Sequence, residues 1–343
     1  MDWTFIGFSA AKILAVMAVM LPSIAYSVLA ERRVSAFIQD RLGPNRVGPG
    51  GIWQPLADGI KFLLKEDFTP SHVRKMYFWL APAITMIPAF LTVAVIPFGS
   101  TLGNQRMVIA DLNVGVLYTF GIVSLSVYGI VLAGYASNSK YPFLGGIRAS
   151  AQMISYELAM GLSVIPLFML AGDLNLSRIT EYQTGGLFQW LVFKQPIAFA
   201  IFLVAAFAET NRLPFDLPES ETELVSGYHT EYSSMKFALF FLGEYAAMIA
   251  ISALMVTLFF GGWTLPFWGL DQAATTFAGG LLHIAIFFGK LLGFMLLFIW
   301  VRWMLPRFRY DQLMDLGWRR ILPLALANIV VTAVWLWMTH GTP

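Results

Sequence analysis

The chain has 343 residues, of which 58% are hydrophobic and 12% charged, with a formal net charge of +2 and no cysteine. A soluble domain carries about a quarter charged residues, so this composition excludes a water-exposed globule and predicts an all-α, polytopic bundle of membrane helices forming one integral membrane domain over 1–343. The missing cysteines exclude disulfides, thiolate iron–sulfur ligation and Cys-based zinc sites, and so small a net charge gives no reason to expect a nucleic-acid partner.

Eight apolar stretches are long enough to cross about 30 Å of hydrocarbon at about 1.5 Å per helical residue. The first, 4–30, is long and carries Lys12, which either accompanies a tilt or marks the interface and snorkels outward. The N-terminal residues lack the basic region and small-residue cleavage site of a signal peptide. In the loop 31–76, Gly43-Pro44-Asn45 and Gly48-Pro49-Gly50-Gly51 punctuate turns. Beyond them Ile52, Leu56, Ile60, Leu63 and Leu64 recur at helical spacing, with Asp58, Lys61 and Lys65 on the other face. This pattern predicts an amphipathic helix lying in the interface. Two readings are open for it: a membrane-surface brace, or one wall of a portal for an amphiphile, with Arg32, Arg41 and Asp58 as polar lining.

Spans follow at 77–98, 114–135 and 149–171, the last placing Glu157 about 12 Å from its inner end. The fifth, 190–209, is interrupted near its start by Lys194, Gln195 and Pro196, and ends on Glu209. The loop 210–235 comes next. With Glu209 it gathers Asp216, Glu219, Glu221, Glu223 and Glu231 against one arginine, interleaved with Phe215, Leu217, Leu224, Tyr228 and Tyr232. Crowded carboxylates raise one another's pKa, so the loop reads either as a solvated acidic segment or as a packed, proton-responsive one, the second being preferred here. Spans 236–260, with Glu244, and 280–301, with Lys290, lead to the basic-aromatic hairpin from Pro306 to Met314 and the last span, 318–338.

Seventeen of the 22 Lys and Arg residues fall in the odd-numbered loops and their edges, three in the even loops, and Lys12 and Lys290 within spans. The positive-inside rule then puts the odd loops on the inner face and both termini outside. Function is expected in the long inner loops, 31–76 and 210–235, and the adjoining helix ends. Glu157, Glu209 and Glu244 fall in one inner slab of the bundle, and an ionisable residue in lipid costs about 2–3 kcal/mol or more. They are expected to carry protons or charge, with Lys290 continuing the path; the plainer alternative is a set of satisfied helix–helix contacts. The histidines, His72, His229, His283 and His340, lie nowhere three or four residues apart, so no helical pair holds haem or metal, and no metal ligands are expected. P-loop and dinucleotide fingerprints are absent too, so redox groups would reside on other chains or on a diffusible lipid-soluble carrier.

Four segments then point to a family. ERRVSAFIQDRLGPNRVGPGGIWQPLADGIK, GGIRASAQMISYELAMG, AETNRLPFDLPESETELVSGYHTEY and PRFRYDQLM occur in this order between Glu31 and Met314. They resemble the motifs of the membrane-arm heel subunit of respiratory complex I, the proton-pumping NADH:quinone oxidoreductase. The resemblance implies that quinone (ubiquinone favoured) enters from the bilayer past Arg32, Arg41, Asp58, Phe215, Asp216 and Arg302. It implies a charge path through Glu157, Glu209, Glu244 and the acidic-loop residues Glu219, Glu221, Glu223 and Glu231, and no catalytic redox residue on this chain. FMN, NADH and iron–sulfur clusters would belong to partner subunits. Those partners would be soluble quinone-site and iron–sulfur subunits at the inner face and small and antiporter-like subunits in the membrane, with lipid around them. The expected location is a bacterial inner membrane, a mitochondrial one being the alternative. Two other functions stay open: the membrane anchor of a related hydrogenase, and a stand-alone ion transporter.

Overall fold

The computed structural model describes residues 3–102, 105–219, 221–267 and 269–340. Helix α1 spans Trp3–Ile38, α2 Gln54–Leu64, α3 Lys75–Val93, α4 Gly115–Ala136 and α5 Lys140–Ala171. A minimal antiparallel pair, β1 Thr101–Leu102 and β2 Gln105–Arg106, separates α3 from α4. Short helices α6 Leu176–Tyr182 and α7 Leu191–Lys194 precede α8 Pro196–Glu209, and α9 Glu221–Leu224 precedes α10 Ser234–Phe259. Helix α11 spans Phe277–Met304 and α12 Tyr310–Asp315; α12 passes through a π-helical turn, Leu316–Ile321, into α13, Leu322–His340.

Seven helices among the described residues are long and apolar enough to cross a membrane: α1, α3, α4, α5, α10, α11 and the continuous Tyr310–Thr339. So many apolar helices in one chain make it a multi-pass membrane protein. The fifth stretch differs from its prediction. Its 14-residue helix α8 reaches only about 21 Å, because Pro196 cannot donate into the preceding turn and Gln195 leaves helical geometry at φ −134°, ψ 61°. Gln195 instead receives a hydrogen bond from Asn328 and donates one to Thr332 of α13, at 3.1 and 3.0 Å. Other boundaries move outward. Helix α1 has 36 residues and α5 has 32, each longer than hydrocarbon requires, so both project into the interface. Glu157 thus stands 17 positions into α5, further from the helix's N-terminal end than the shorter predicted span implied.

Helices α8 and α10 form the centre, since most of their residues are small or apolar all round rather than on one stripe. Helix α4 packs between α3 and α5, α10 lies against α3, and α5 is also flanked by α8 and α13. Gly129 permits the tight α3–α4 approach, because a Cβ there would fall 2.2 Å from Thr85 Oγ1 and 2.6 Å from its backbone nitrogen. The amphipathic helix is present: α2 has no buried residue, and Leu56, Ile60, Leu63 and Leu64 are exposed on it.

Candidate functional site: a buried ionic cluster beneath two cavities

The C-terminal part of α1 carries Glu-Arg-Arg directly after an apolar run, and Glu31 enters the bundle while Arg32 turns towards α2. Glu31 is 4% exposed. Both its oxygens accept hydrogen bonds from Arg212, at 3.0 and 2.9 Å. Tyr245 donates to Oε2 at 2.7 Å, and Arg302 donates to Oε1. The Nε of Arg212 lies 2.8 Å from Glu244, and its guanidinium stacks over the Tyr245 ring at 4.4 Å. Two carboxylates and two guanidiniums from α1, α10, α11 and the 210–235 loop therefore balance in charge. Burial works against the charged form of Arg212, but Glu244 and Glu31 outweigh it and hold its pKa well above the ordinary arginine value.

One cavity borders this cluster and a second meets the first at Arg32. The first, of about 390 Å³, is walled by Glu31, Arg32, Ser35, Arg41, Tyr245 and Arg302. The other, of about 740 Å³, lies between α1, α2 and α10, with Arg32, Asp58, Phe62, Phe237 and Phe241 in its wall. Arg32 belongs to both and pairs with Asp58 at 2.8 Å, tying α2 to α1. Both volumes fall in the ordinary range of small-molecule sites.

Of the predicted entrance residues, Arg32, Arg41, Asp58 and Arg302 line these cavities, whereas Phe215 and Asp216 are in neither wall. Phe215 is buried, stacked on Phe308 at 5.5 Å and beside Tyr156 at 5.6 Å. Asp216 pairs with Arg307 at 2.8 Å; burial lifts its pKa above the usual carboxylate range even so. The hydroxyl of Tyr156 donates to Leu313 at 2.9 Å, and Gln152 donates to the carbonyls of Ala208 and Phe215, fixing the loop to α5.

The predicted path residues divide. Glu209 and Glu244 line one small cavity of about 50 Å³, with Thr85, Asn211 and Tyr228 also in its wall. Neither oxygen of Glu209 is hydrogen-bonded by a described residue, though it is 4% exposed. Glu157 accepts from Ser124 of α4 and is near enough to Glu209 to repel it. Glu219 feels the charges of Glu244 and Asp216; burial, with those neighbours, raises its pKa well above the carboxylate norm. Glu223 and Glu231 turn away, Glu223 to Arg148 at 2.7 Å and Glu231 towards His72 at 3.9 Å. Glu221 opens α9, and its side chain lies outside the described residues. Lys290 is not beside these carboxylates. Its ammonium donates to the carbonyls of Phe260, Gly262 and Thr264 at 2.6–2.9 Å, against the C-terminal end of α10, and stands over Trp190.

Sequence reasoning did not single out Glu31 or Arg212. Glu31 was legible as an acid closing an apolar run before two arginines. Arg212, the one cation in an acidic loop, had the composition of a buried counter-charge but no spacing to name its partners.

Residues 11–333 match the family described as NADH dehydrogenase. The chain is 52% identical over 325 residues to an NADH-quinone oxidoreductase H subunit of Cytophaga hutchinsonii, covering 93% of each chain. It is 52% identical over 337 residues to an NADH-quinone oxidoreductase H subunit of Geobacter metallireducens, covering 97% of each. Against the NADH-quinone oxidoreductase H subunit of Flavobacterium psychrophilum it is 49% identical over 340 residues, covering 97% of this chain and 98% of the other.

Proposed function

This chain belongs to the NADH dehydrogenase family, and from that premise we propose that it is the membrane subunit of a proton-translocating NADH:quinone oxidoreductase through which quinone reaches its reduction site. The observation that carries the reading is the pair of adjoining cavities sharing Arg32, one under the amphipathic α2 and one ending on the Glu31–Arg212–Arg302 cluster. An apolar tail suits the first, walled by Phe62, Phe237 and Phe241; a polar headgroup suits the second. Quinone, ubiquinone by preference, moves from the bilayer past Asp58, Arg32, Arg41 and Arg302 into a soluble partner subunit. Phe215 and Asp216 stand outside both walls.

Reduction of a quinone takes up two electrons and two protons. The electrons come from iron–sulfur clusters and FMN on partner subunits. Those two protons are taken from groups beside Glu31, Arg212 and Glu244, which are left with a deficit of positive charge until they are reprotonated. In a low-dielectric interior that deficit is felt strongly by neighbouring carboxylates. It passes from Glu244 through Glu219 and Glu209 to Glu157, and on to small and antiporter-like membrane partners. Lys290 joins that path only by holding the outer end of α10. Counting the broken α7–α8 as a span gives eight crossings, termini on the outer side, and loops 31–76 and 210–235 as the inner docking face, in a bacterial inner membrane.

The test is Glu→Gln at 157, 209 and 244 in the assembled complex, reading NADH-driven quinone reduction and proton uptake into vesicles. Loss of pumping in each supports the reading; full quinone reduction with full pumping in all three overturns the path. Purification in mild detergent distinguishes the hydrogenase anchor. FMN, clusters and quinone reductase activity in the co-purifying assembly support the present reading, and nickel with hydrogen evolution refutes it.

A further inference from the structure

A third large cavity, of about 730 Å³, lies on the opposite side of α1 from the quinone route, between α1, α10, α11 and the β1–β2 segment. It runs along α1 from Phe8 to Ala30, about 33 Å at helical rise, and its wall is apolar except near its ends. Its rim faces outward from the bundle: Val19 is 48% and Leu292 59% exposed. At the outer end stand Lys12 and Gln105. Lys12 lies nine positions into α1, and its half-buried ammonium makes one hydrogen bond among the described residues, to the Val108 carbonyl at 3.2 Å. No described carboxylate forms an ion pair with it, while Arg106, next to Gln105, is already paired with Asp111. A cation held at the mouth of a greasy groove, with donors to spare and no anionic partner among the described residues, is matched by an anion that brings its own apolar tail.

We propose that this groove is a binding site for an anionic membrane phospholipid. Its phosphodiester oxygens accept hydrogen bonds from Lys12 and Gln105, and one acyl chain lies between α1 and α11. One leaflet offers about 15 Å of hydrocarbon, half the bilayer core, so an acyl chain hanging from Lys12 fits within the groove's length. The lipid fills space beside Ile249, Ala253, Phe287 and Met295, where α1 would otherwise stand apart from α10 and α11. The site thereby steadies the helix that carries Glu31 and Arg32. The binding claim itself is independent of the quinone reading, since it concerns the other flank and the outer end of α1.

The intact complex tests this with a photoreactive benzophenone residue in place of Leu292 at the groove rim, irradiated in nanodiscs of phosphatidylcholine with one-tenth phosphatidylglycerol. Wild-type Lys12 and Lys12→Arg are expected to yield a phosphatidylglycerol adduct on this chain. Lys12→Leu is expected to lower that adduct at least tenfold. If Lys12→Leu does not assemble, Ala15→Phe fills the groove below the charge and is expected to lose the adduct in the same way. An adduct with another protein or with quinone, equal phosphatidylglycerol yields with and without the Lys12 charge, or labelling in proportion to bulk lipid would each overturn the assignment.

Discussion

Arg212→Leu removes the central cation of the ionic cluster and leaves Glu31 and Glu244 sharing only Arg302, whose side chain is 40% exposed. The two Glu31 hydrogen bonds at 2.9 and 3.0 Å and the 2.8 Å contact to Glu244 are lost together. At an effective dielectric near 20, each unit-charge contact at about 4 Å has a gross attraction of about 4 kcal/mol, offset by the cost of desolvating the guanidinium. Breaking one partner out of a buried pair costs about 3–5 kcal/mol net, since the remaining charge stays buried. For a chain of this size that corresponds to a fall of about 4–7 °C in the unfolding midpoint. The decisive comparison is the double variant Arg212→Leu with Glu31→Gln. It restores one anion, Glu244, to one cation, Arg302. Its midpoint should therefore lie above that of Arg212→Leu alone, with a coupling of at least about 1 kcal/mol relative to the sum of the two single variants. The assay is the thermal midpoint of the purified complex together with the fraction of assembled complex in membranes. Arg212→Leu unchanged from wild type, or a double variant as low as the sum of the two singles, would refute the charge-balance argument.

His229 is held by burial at a pKa of about 4, against an ordinary 6.5. The folded value is the lower one, so the unfolded loop takes up the proton first. Docking of 210–235 is then fully stable above pH 6.5 and weakens, by at most about 3 kcal/mol, as pH falls from 6.5 towards 4. Glu219, 3.8 Å away with a raised pKa, contributes with the opposite sign, so amide exchange of the loop at pH 7.5 and 5 is compared between wild type and His229→Gln; only the histidine's share disappears in the variant. Lys290→Met strands three carbonyls at the end of α10 and should cost about 2–3 kcal/mol, read as faster exchange in 260–264; a loop as protected as wild type would contradict its capping role. Gly129→Ala forces α3 and α4 apart and should cost about 1–3 kcal/mol of thermal stability. Thr85→Ala should not rescue it, because the Thr85 backbone nitrogen and Ala81 carbonyl crowd the same point.

Hydropathy and charge alone determined the class of this protein. Runs of some twenty apolar residues must satisfy their backbone internally as helices in lipid, and the amphipathic α2 was legible in the three-and-four spacing from Ile52 to Leu64. The same patterns put Glu157, Glu209 and Glu244 in one slab, because depth along a helix follows from residue count; Glu209 and Glu244 line one cavity, whereas Glu157 stands deeper along the longer α5. They did not give azimuth: which way a side chain points around a nearly all-apolar helix depends on its neighbours. Hence Lys290, at a depth that suited a charge path, turns instead to the carbonyls ending α10, and Glu223 and Glu231 face Arg148 and His72. The break at Gln195 was foreshadowed by Pro196, but its stability comes from Asn328 and Thr332, more than 130 positions away. The pairing of Glu31 with Arg212 across 181 residues belongs to tertiary structure in the same sense. A buried charge fixes that a partner must exist, and only the packing of α1, α10, α11 and the 210–235 loop decides which one reaches it.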